Sequence, residues 1–228
     1  MSGALVVSPH LDDAVLACGA WIAAHAGVRV LTVFAGAPRT SAPPTEWDAA
    51  CGFADAAEAI AARRAEDRAA LALLGAEPEW LDWCDDQYGV PAPEGALVAD
   101  VSADLRRALE RHDPHAVLVP LGLFHRDHER THDAGLALLE EHRTRTWYAY
   151  EDALYRAIPG LVQRRLRRLA ERRVTATPEP TPERTRGASG RKRRALACYA
   201  SQLRGLATPG RPGHADALAA ERLWRLTL

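Results

Sequence analysis

Three chemically reactive side chains stand close together near the start of the chain. His10, Asp12 and Asp13 follow an apolar run at residues 5–7. Such a run predicts a buried strand, and ligands of open α/β sheets bind in the crevice outside the carboxyl ends of the strands. Imidazole and carboxylate groups are ligand types that zinc accepts. The segment therefore predicts a strand that carries metal-binding groups to its own carboxyl end.

A second polar cluster, far along the chain, comprises His125, Asp127 and His128. It follows a predicted buried strand at residues 116–120. In a parallel sheet the two strands end at the same edge, which would bring the two clusters together. The pair of clusters predicts a hydrolase with a single metal ion.

The residues of the two clusters suggest distinct roles. His10, Asp13 and His128 are the predicted metal ligands, because a catalytic zinc keeps three protein ligands and one open position. Asp12 is then placed to accept a proton from the attacking water. His125 would stabilise an oxyanion or protonate a leaving amine. The alternative for Asp12 is a plain helix cap, a position where aspartate is favoured.

The segment from His128 to His132 also matches H-E-x-x-H, the helix signature of zinc peptidases. In that interpretation Glu129 is the base and His132 the second ligand. The longer metzincin pattern fails, because Leu138 stands where a third histidine is needed. A zinc peptidase is therefore the first alternative function.

The second alternative is a non-catalytic, Rossmann-like module that binds a nucleotide or sugar phosphate. No G-x-G-x-x-G follows the first strand. The two adjacent carboxylates of Asp12 and Asp13 at a helix start would repel a phosphate.

Two weaker candidate pairs lie between the clusters. Asp85 and Asp86 follow a short predicted strand at residues 80–83, and are either sugar-hydroxyl ligands or ordinary turn residues. Arg63 and Glu66 stand one helical turn apart, and are either site residues or only an i,i+3 surface pair.

Composition restricts the class of protein. With 228 residues, 47% of them hydrophobic, the chain fits one domain with a sizeable core. A net charge of -1 argues against nucleic-acid binding. We expect neither a membrane span nor a signal peptide. The four cysteines form no CxxC pair, which favours reduced thiols in a cytoplasmic protein: Cys18, Cys51, Cys84 and Cys198.

Strand and helix patterns alternate over the first 150 residues, which predicts an α/β fold with a mostly parallel sheet and helices on both faces. Strands are predicted at 5–8, 28–34, 80–83, 116–120 and 146–150, and helices at 13–26, 54–74, 97–111 and 131–142. Residues 37–53 are predicted to be a proline-rich loop that carries Trp47 and is a candidate substrate lid.

Residues 151–228 are predicted to be an irregular C-terminal extension of the same single domain, 1–228. Its expected elements are a basic helix at 161–173, strands at 174–177 and 223–226, and a helix at 192–202. A mobile loop is predicted at about 177–190, where proline, glycine and charged residues are dense.

Taken together, the motifs resemble those of the PIG-L (LmbE-like) zinc-dependent de-N-acetylases. The matching segments are Ser8-Pro9-His10-Leu11-Asp12-Asp13, His125-x-Asp127-His128, Lys192-x-x-x-Leu196-x-x-Tyr199-x-Ser201-Gln202, and Arg63-x-x-Glu66 with Leu74-Gly75, Leu81 and Asp85. The resemblance covers nearly the whole chain. Two departures concern substrate identity rather than chemistry: Ala20 follows Gly19 where the family often has a second glycine, and Tyr199 replaces a frequent histidine.

The resemblance implies a Rossmann-like α/β sheet and hydrolysis of the acetamide of an N-acetylglucosamine-type group. The implied partner is a small-molecule N-acetylated glycoconjugate. Zinc is the implied cofactor, on His10, Asp13 and His128, and iron(II) suits the same ligands.

The resemblance also implies roles for the remaining residues. Asp12 matches the general base. His125 matches the histidine that assists the tetrahedral intermediate. Asp127 matches the carboxylate that orients this histidine. Arg63 and Asp85 match positions that contact substrate.

Overall fold

A computed structural model describes residues 3–38, 43–89, 93–180 and 187–228. The strands in these ranges are β1 (Ala4–Ser8), β2 (Val28–Thr32), β3 (Glu77–Trp80), β4 (Ala116–Pro120), β5 (Thr146–Tyr150), β6 (Thr175–Glu179) and β7 (Leu223–Thr227). The helices are α1 (Asp13–Ala24), α2 (Glu46–Cys51), α3 (Ala56–Leu74), α4 (Glu94–His112), α5 (Arg126–Leu136), α6 (Leu161–Glu171), α7 (Ala188–Leu196) and α8 (Ala200–Leu206). Short 3₁₀ turns lie at Asp86–Tyr88 and Ala215–Leu218.

The described strands form a single sheet in the order β3-β2-β1-β4-β5-β7-β6. Strands β1 to β5 are parallel, whereas β7 runs antiparallel to both β5 and β6. The predicted mostly parallel α/β sheet is confirmed. The two strands predicted in the C-terminal part, β6 and β7, are present and extend the same sheet beyond β5.

Helices cover both faces of the sheet, as predicted. Along β1, Ala4 and Val6 belong to the core under α1, α3 and α7. Leu5 and Val7 belong to the opposite core, under α4 and α5. Strands buried on both faces read as continuous apolar runs, which is why β1 and β4 were visible in the sequence.

Helix α1 is broken at Cys18, where φ is -139°. Just beyond the break, the backbone N–H groups of Ala20 and Trp21 donate to the Glu221 carboxylate at 2.7 and 2.9 Å. Glu221 is in turn paired with Lys192 at 2.8 Å. Gly19 lies against this lysine, since a Cβ at Gly19 would approach its Cγ to 3.0 Å. The first glycine of the Gly-Ala pair is therefore explained by close packing.

Two predicted boundaries near the site are wrong. Strand β3 ends at Trp80 instead of occupying 80–83, and Asp82 and Cys84 make only isolated bridges to the segment after β2. Helix α5 begins at Arg126 instead of residue 131, because His125 caps it by accepting from the Asp127 N–H at 3.2 Å. The second polar cluster is therefore a helix start.

The predicted loop at 37–53 contains a helix, α2. Thr45 caps it by accepting from the Asp48 N–H at 3.0 Å, and Gly52 ends it with φ of 89°. Six residues are too few for a helical period to show in the sequence. Residues 39–42 lie outside the described part of the chain.

The predicted mobile loop at 177–190 begins and ends within regular structure in the described part of the chain. Strand β6 continues to Glu179 and helix α7 begins at Ala188, while residues 181–186 lie outside the described ranges. The single helix predicted at 192–202 is two helices, α7 and α8. None of the described helices is both long and apolar enough to cross a membrane.

Candidate metal centre

Two turns at the carboxyl edge of the sheet carry the first and second polar clusters. The turn after β1 is held by Ser8, whose Oγ donates to the His10 carbonyl at 2.7 Å and accepts from the Ala14 N–H at 3.0 Å. The turn after β4 leads into α5. Because β1 and β4 are neighbours in the sheet, the two turns face each other.

One carboxylate oxygen joins the two clusters. Oδ2 of Asp13 lies 3.1 Å from Nδ1 of His10 and 3.2 Å from Nε2 of His128. It also accepts from the backbone N–H of His10 at 2.9 Å. Potential ligand atoms of the three side chains all lie within 4.8 Å of one another. The structure thus brings together the three residues predicted as metal ligands.

Each of the two histidines has a second carboxylate behind its ring. Nδ1 of His128 lies 2.6 Å from Oδ1 of Asp152, and Nε2 of His10 lies 3.1 Å from Oδ2 of Asp127. A proton on each far nitrogen leaves a lone pair on the nitrogen that faces Asp13. Carboxylate–histidine pairs of this kind fix the tautomer of metal-binding histidines.

The donor set fits a divalent cation. Two nitrogen lone pairs directed at a shared carboxylate oxygen require a positive charge between them, supplied by a proton or a metal ion. Without metal the proton takes this place: Asp13 and Asp152 raise the pKa of His128 to about 9, although burial opposes the rise. The histidines likewise hold the pKa of Asp13 well below its usual range, against the effect of burial.

Asp12 stands at the N-cap of α1, but its side chain makes no capping hydrogen bond. The carboxylate instead lines the cavity above the three converging residues. Burial and the neighbouring Asp13 raise its pKa to about 7. A carboxylate with such a pKa is suited to accept and return a proton near neutral pH, so the plain helix-cap interpretation does not account for it.

His125 also lines the cavity and is about one-third exposed. Burial and the nearby His10 and His128 lower its pKa to about 4. The Asp127 carboxylate does not bind this ring, since it comes no closer than 4.0 Å to Nδ1 of His125, which accepts from the Asp127 backbone N–H instead. It contacts His10 and accepts from Arg130 at 2.7 Å. The Asp127 carboxylate therefore contacts His10, and not His125 as the resemblance implied.

A cavity of about 610 Å³ opens above these side chains. Arg63 and Asp85 both line it, with Nη1 of Arg63 3.8 Å from Oδ2 of Asp85. The Arg63 side chain is buried, yet Nε and Nη1 have no hydrogen-bond partner. Gln87 fixes Asp85 by donating to it from its backbone N–H and its side-chain amide, at 3.1 and 3.0 Å. Arg63 thus lines the cavity while two of its buried nitrogens lack a hydrogen-bond partner.

The other members of the two weaker pairs serve the fold. Asp86 accepts from Arg130 at 2.8 Å. Glu66 accepts from the backbone N–H and Oγ of Ser201 at 2.8 and 2.6 Å. The alternative of a surface pair between Arg63 and Glu66 is therefore wrong, because the arginine lines the cavity and the glutamate binds Ser201 of α8.

The C-terminal motif mainly ties helices together. Tyr199 stands where the family often has a histidine. Its hydroxyl donates to buried Asp67 at 2.7 Å. Gln202 accepts from Nε1 of Trp47 at 3.2 Å. Of the four polar residues in this motif, Gln202 is the one that lines the cavity.

The peptidase alternative is wrong because His132 and Glu129 do not lie where a metal ligand and a general base are needed. Nδ1 of His132 donates to the Pro120 carbonyl at 2.8 Å, and burial lowers the pKa of this ring to about 4. Glu129 accepts from Arg165 at 3.0 Å. Among the described residues, neither belongs to a group that could hold a metal ion.

Sequence reasoning missed Asp152, which directly follows β5 and so lies at the same edge of the sheet as the two clusters. The signal was present, because a carboxylate after a buried strand was the pattern that revealed Asp12 and Asp13.

A second set of possible ligand atoms also lies within 4.8 Å: His10, Asp85, His125 and Asp127. It shares His10 with the first set.

The chain belongs to the PIG-L family, described as GlcNAc-PI de-N-acetylase, which it matches over residues 5–139. Comparison with curated protein sequences gives no significant match.

Solved structures of deacetylases are similar over almost the whole chain. An A40926 pseudoaglycone deacetylase is 28% identical with a TM-score of 0.77, covering 99% of this chain and 97% of that one. A zinc-inhibited form of teicoplanin deacetylase is 25% identical with a TM-score of 0.79, covering 98% and 97%. An N,N'-diacetylchitobiose deacetylase from Pyrococcus horikoshii, 18% identical with a TM-score of 0.53 over 88% and 70%, shows the shared fold alone.

Proposed function

We propose that this protein is a metal-dependent N-deacetylase that removes the acetyl group from an N-acetylated sugar conjugate. The observation that carries the proposal is the shared Asp13 oxygen between two histidines, each backed by its own carboxylate. Family membership and the deacetylases of similar structure support the same reaction.

His10, Asp13 and His128 would hold the ion. A divalent ion bound there polarises the amide carbonyl and lowers the pKa of water. Asp12 takes the proton of the attacking water, because its carboxylate faces the cavity free of capping contacts. His125, neutral at physiological pH, donates a hydrogen bond to the oxygen of the tetrahedral intermediate. The proton then reaches the leaving amine through Asp12 or His125.

Arg63 and Asp85 would bind hydroxyl or carbonyl oxygens of the sugar, since both line the cavity. The proteins of similar structure act on a pseudoaglycone and on teicoplanin, which favours a glycoconjugate here. We propose zinc or iron(II) as the native ion. The four unpaired cysteines support a cytoplasmic location.

The test combines metal and substrate. Protein stripped with a chelator is reloaded with one equivalent of zinc, iron(II), cobalt or nickel, and each form is assayed for acetate release from a panel of N-acetylated glycoconjugates. We expect turnover with at least one metal and none in the stripped protein. The His128→Ala variant is the control and should neither retain metal nor release acetate. Equal acetate release by stripped and reloaded protein would refute the proposal.

A further inference from the structure

Two residues that line the cavity have a strained backbone. Phe124 has φ of 65° and Leu154 has φ of 72°, which non-glycine residues rarely adopt. Each immediately precedes another cavity residue, His125 in one case and Tyr155 in the other. Such strain persists only where the surrounding structure enforces it, and it concentrates at ligand sites.

The strained segments present a wall of aromatic rings. Phe124 is 64% exposed, and its ring stacks on Tyr155 with centroids 5.2 Å apart and planes at 30°. Tyr155 in turn packs edge-on against His128, with centroids 5.2 Å apart. Ile158, 38% exposed, lines the same side. The wall therefore runs without interruption from a metal ligand to solvent.

The chemistry of the wall differs from that of the rest of the cavity. The polar groups that suit a sugar, Arg63, Asp85 and Gln87, contact one another, whereas Phe124, Tyr155 and Ile158 carry no charge. Exposed apolar side chains that adjoin a binding cleft mark an interaction site. A flat aromatic face favours another ring stacked upon it.

We infer that Phe124 and Tyr155 form a subsite for an uncharged, ring-bearing aglycone attached to the acetylated sugar. The inference rests on the proposed function, because the aglycone is placed relative to an acetylated sugar in the cavity. It concerns substrate specificity and not the reaction. Phe124 contacts the aglycone directly, and Tyr155 supports the Phe124 ring by stacking on it.

The experiment compares two substrates of the metal-loaded protein, the methyl and 4-nitrophenyl β-glycosides of N-acetylglucosamine. We expect kcat/KM to be about tenfold higher for the aryl glycoside, mainly through KM, the equivalent of about 1.4 kcal/mol. Phe124→Ala should reduce this ratio to about 2 or less, and Phe124→Tyr should retain it. Leu73→Ala removes an exposed leucine on α3 that does not line the cavity, and should leave the ratio unchanged.

A binding measurement separates this inference from the proposed reaction. The matching deacetylated glycosides are titrated into the same variants by calorimetry, with thermal unfolding as a check that each variant is folded. Tighter binding of the aryl compound to the wild type, lost in Phe124→Ala, supports the subsite even if no acetate is released, a result that would count against the deacetylase proposal alone. Equal affinity for the two compounds in the wild type, or a preference that survives Phe124→Ala, overturns the subsite.

Discussion

Asp152 accepts a 2.6 Å hydrogen bond from Nδ1 of His128, and both side chains are almost completely buried. The other oxygen of the same carboxylate accepts from the backbone N–H groups of Gly122 and Leu123 at 2.9 and 3.1 Å. One side chain just beyond β5 therefore fixes both the tautomer of a proposed metal ligand and the loop that precedes α5.

This double contact makes Asp152→Asn a selective test. The asparagine oxygen can keep the two backbone contacts, while its amide donates to Nδ1 of His128 and forces the proton onto Nε2. A protonated Nε2 cannot bind metal. We expect metal affinity to fall about 10- to 100-fold, as for other partners of metal-binding histidines. Competition with a chromophoric chelator measures the change.

The control is Asp216→Asn. Asp216 also holds backbone and arginine groups, since it accepts from the Leu154 N–H at 2.8 Å and from Arg156 at 2.9 Å, but it touches no metal ligand. Metal affinity should be unchanged in this variant. If Asp152→Asn bound metal as tightly as the wild type, the tautomer argument would be wrong.

Asp12 and Glu129 are the two rival general bases. Asp12→Asn keeps the shape of the side chain but cannot take a proton, so kcat should fall by about 10²- to 10⁴-fold with full metal content. Glu129→Gln should lose at most a few-fold, about 3, because Glu129 does not line the cavity and a glutamine oxygen can still accept from the buried Arg165. Both are compared in one acetate-release assay. The reverse order of losses would restore the peptidase mechanism.

Variants of His132 and His128 provide a second test between the deacetylase and the peptidase sets of metal ligands. His128→Ala should abolish metal binding. His132→Ala should keep one equivalent of metal but lower stability by about 1–3 kcal/mol, because it leaves the buried Pro120 carbonyl without its donor. Metal content and urea unfolding are measured on the same preparations. Loss of metal from His132→Ala in folded protein is the result that contradicts this assignment.

The sequence predicted most accurately those features that depend on residues close together in the chain. Strands β4 and β5 were placed with their observed bounds, and the residues that converge on Asp13 were found because polar side chains directly follow apolar strands. Both signals are local. The motif residues are also unusual at strand ends, which made them visible without knowledge of the fold.

Contacts between distant segments left no such signal. Glu66 binds Ser201, 135 residues away, so local spacing suggested a surface pair with Arg63 instead. Strands β6 and β7 pair antiparallel with each other and join the sheet after residue 150, which a local βαβ pattern does not encode. Helix α2 depends on a cap and on packing against α8, and its six residues show no period.

Lys192 supplies a prediction about stability. Its ammonium group is buried and pairs with Glu221 at 2.8 Å, while Glu221 caps the second half of α1 through Ala20 and Trp21. Lys192→Met keeps the volume of the side chain but removes the ammonium group that pairs with the Glu221 carboxylate. Removing one partner of a buried pair costs about 3–5 kcal/mol. Urea unfolding of the metal-loaded protein measures this loss.

Two further variants complete the argument. Arg193→Met changes the exposed neighbour on α7 and should alter stability by no more than about 0.5 kcal/mol. Lys192→Met combined with Glu221→Gln removes both charges, so it should be more stable than Lys192→Met alone, because the neutral amide is less costly to bury and its oxygen still accepts from one N–H of α1. Metal content should stay at one equivalent throughout, since the pair does not line the cavity. A double variant less stable than Lys192→Met would show that capping by Glu221, and not charge balance, dominates this contact.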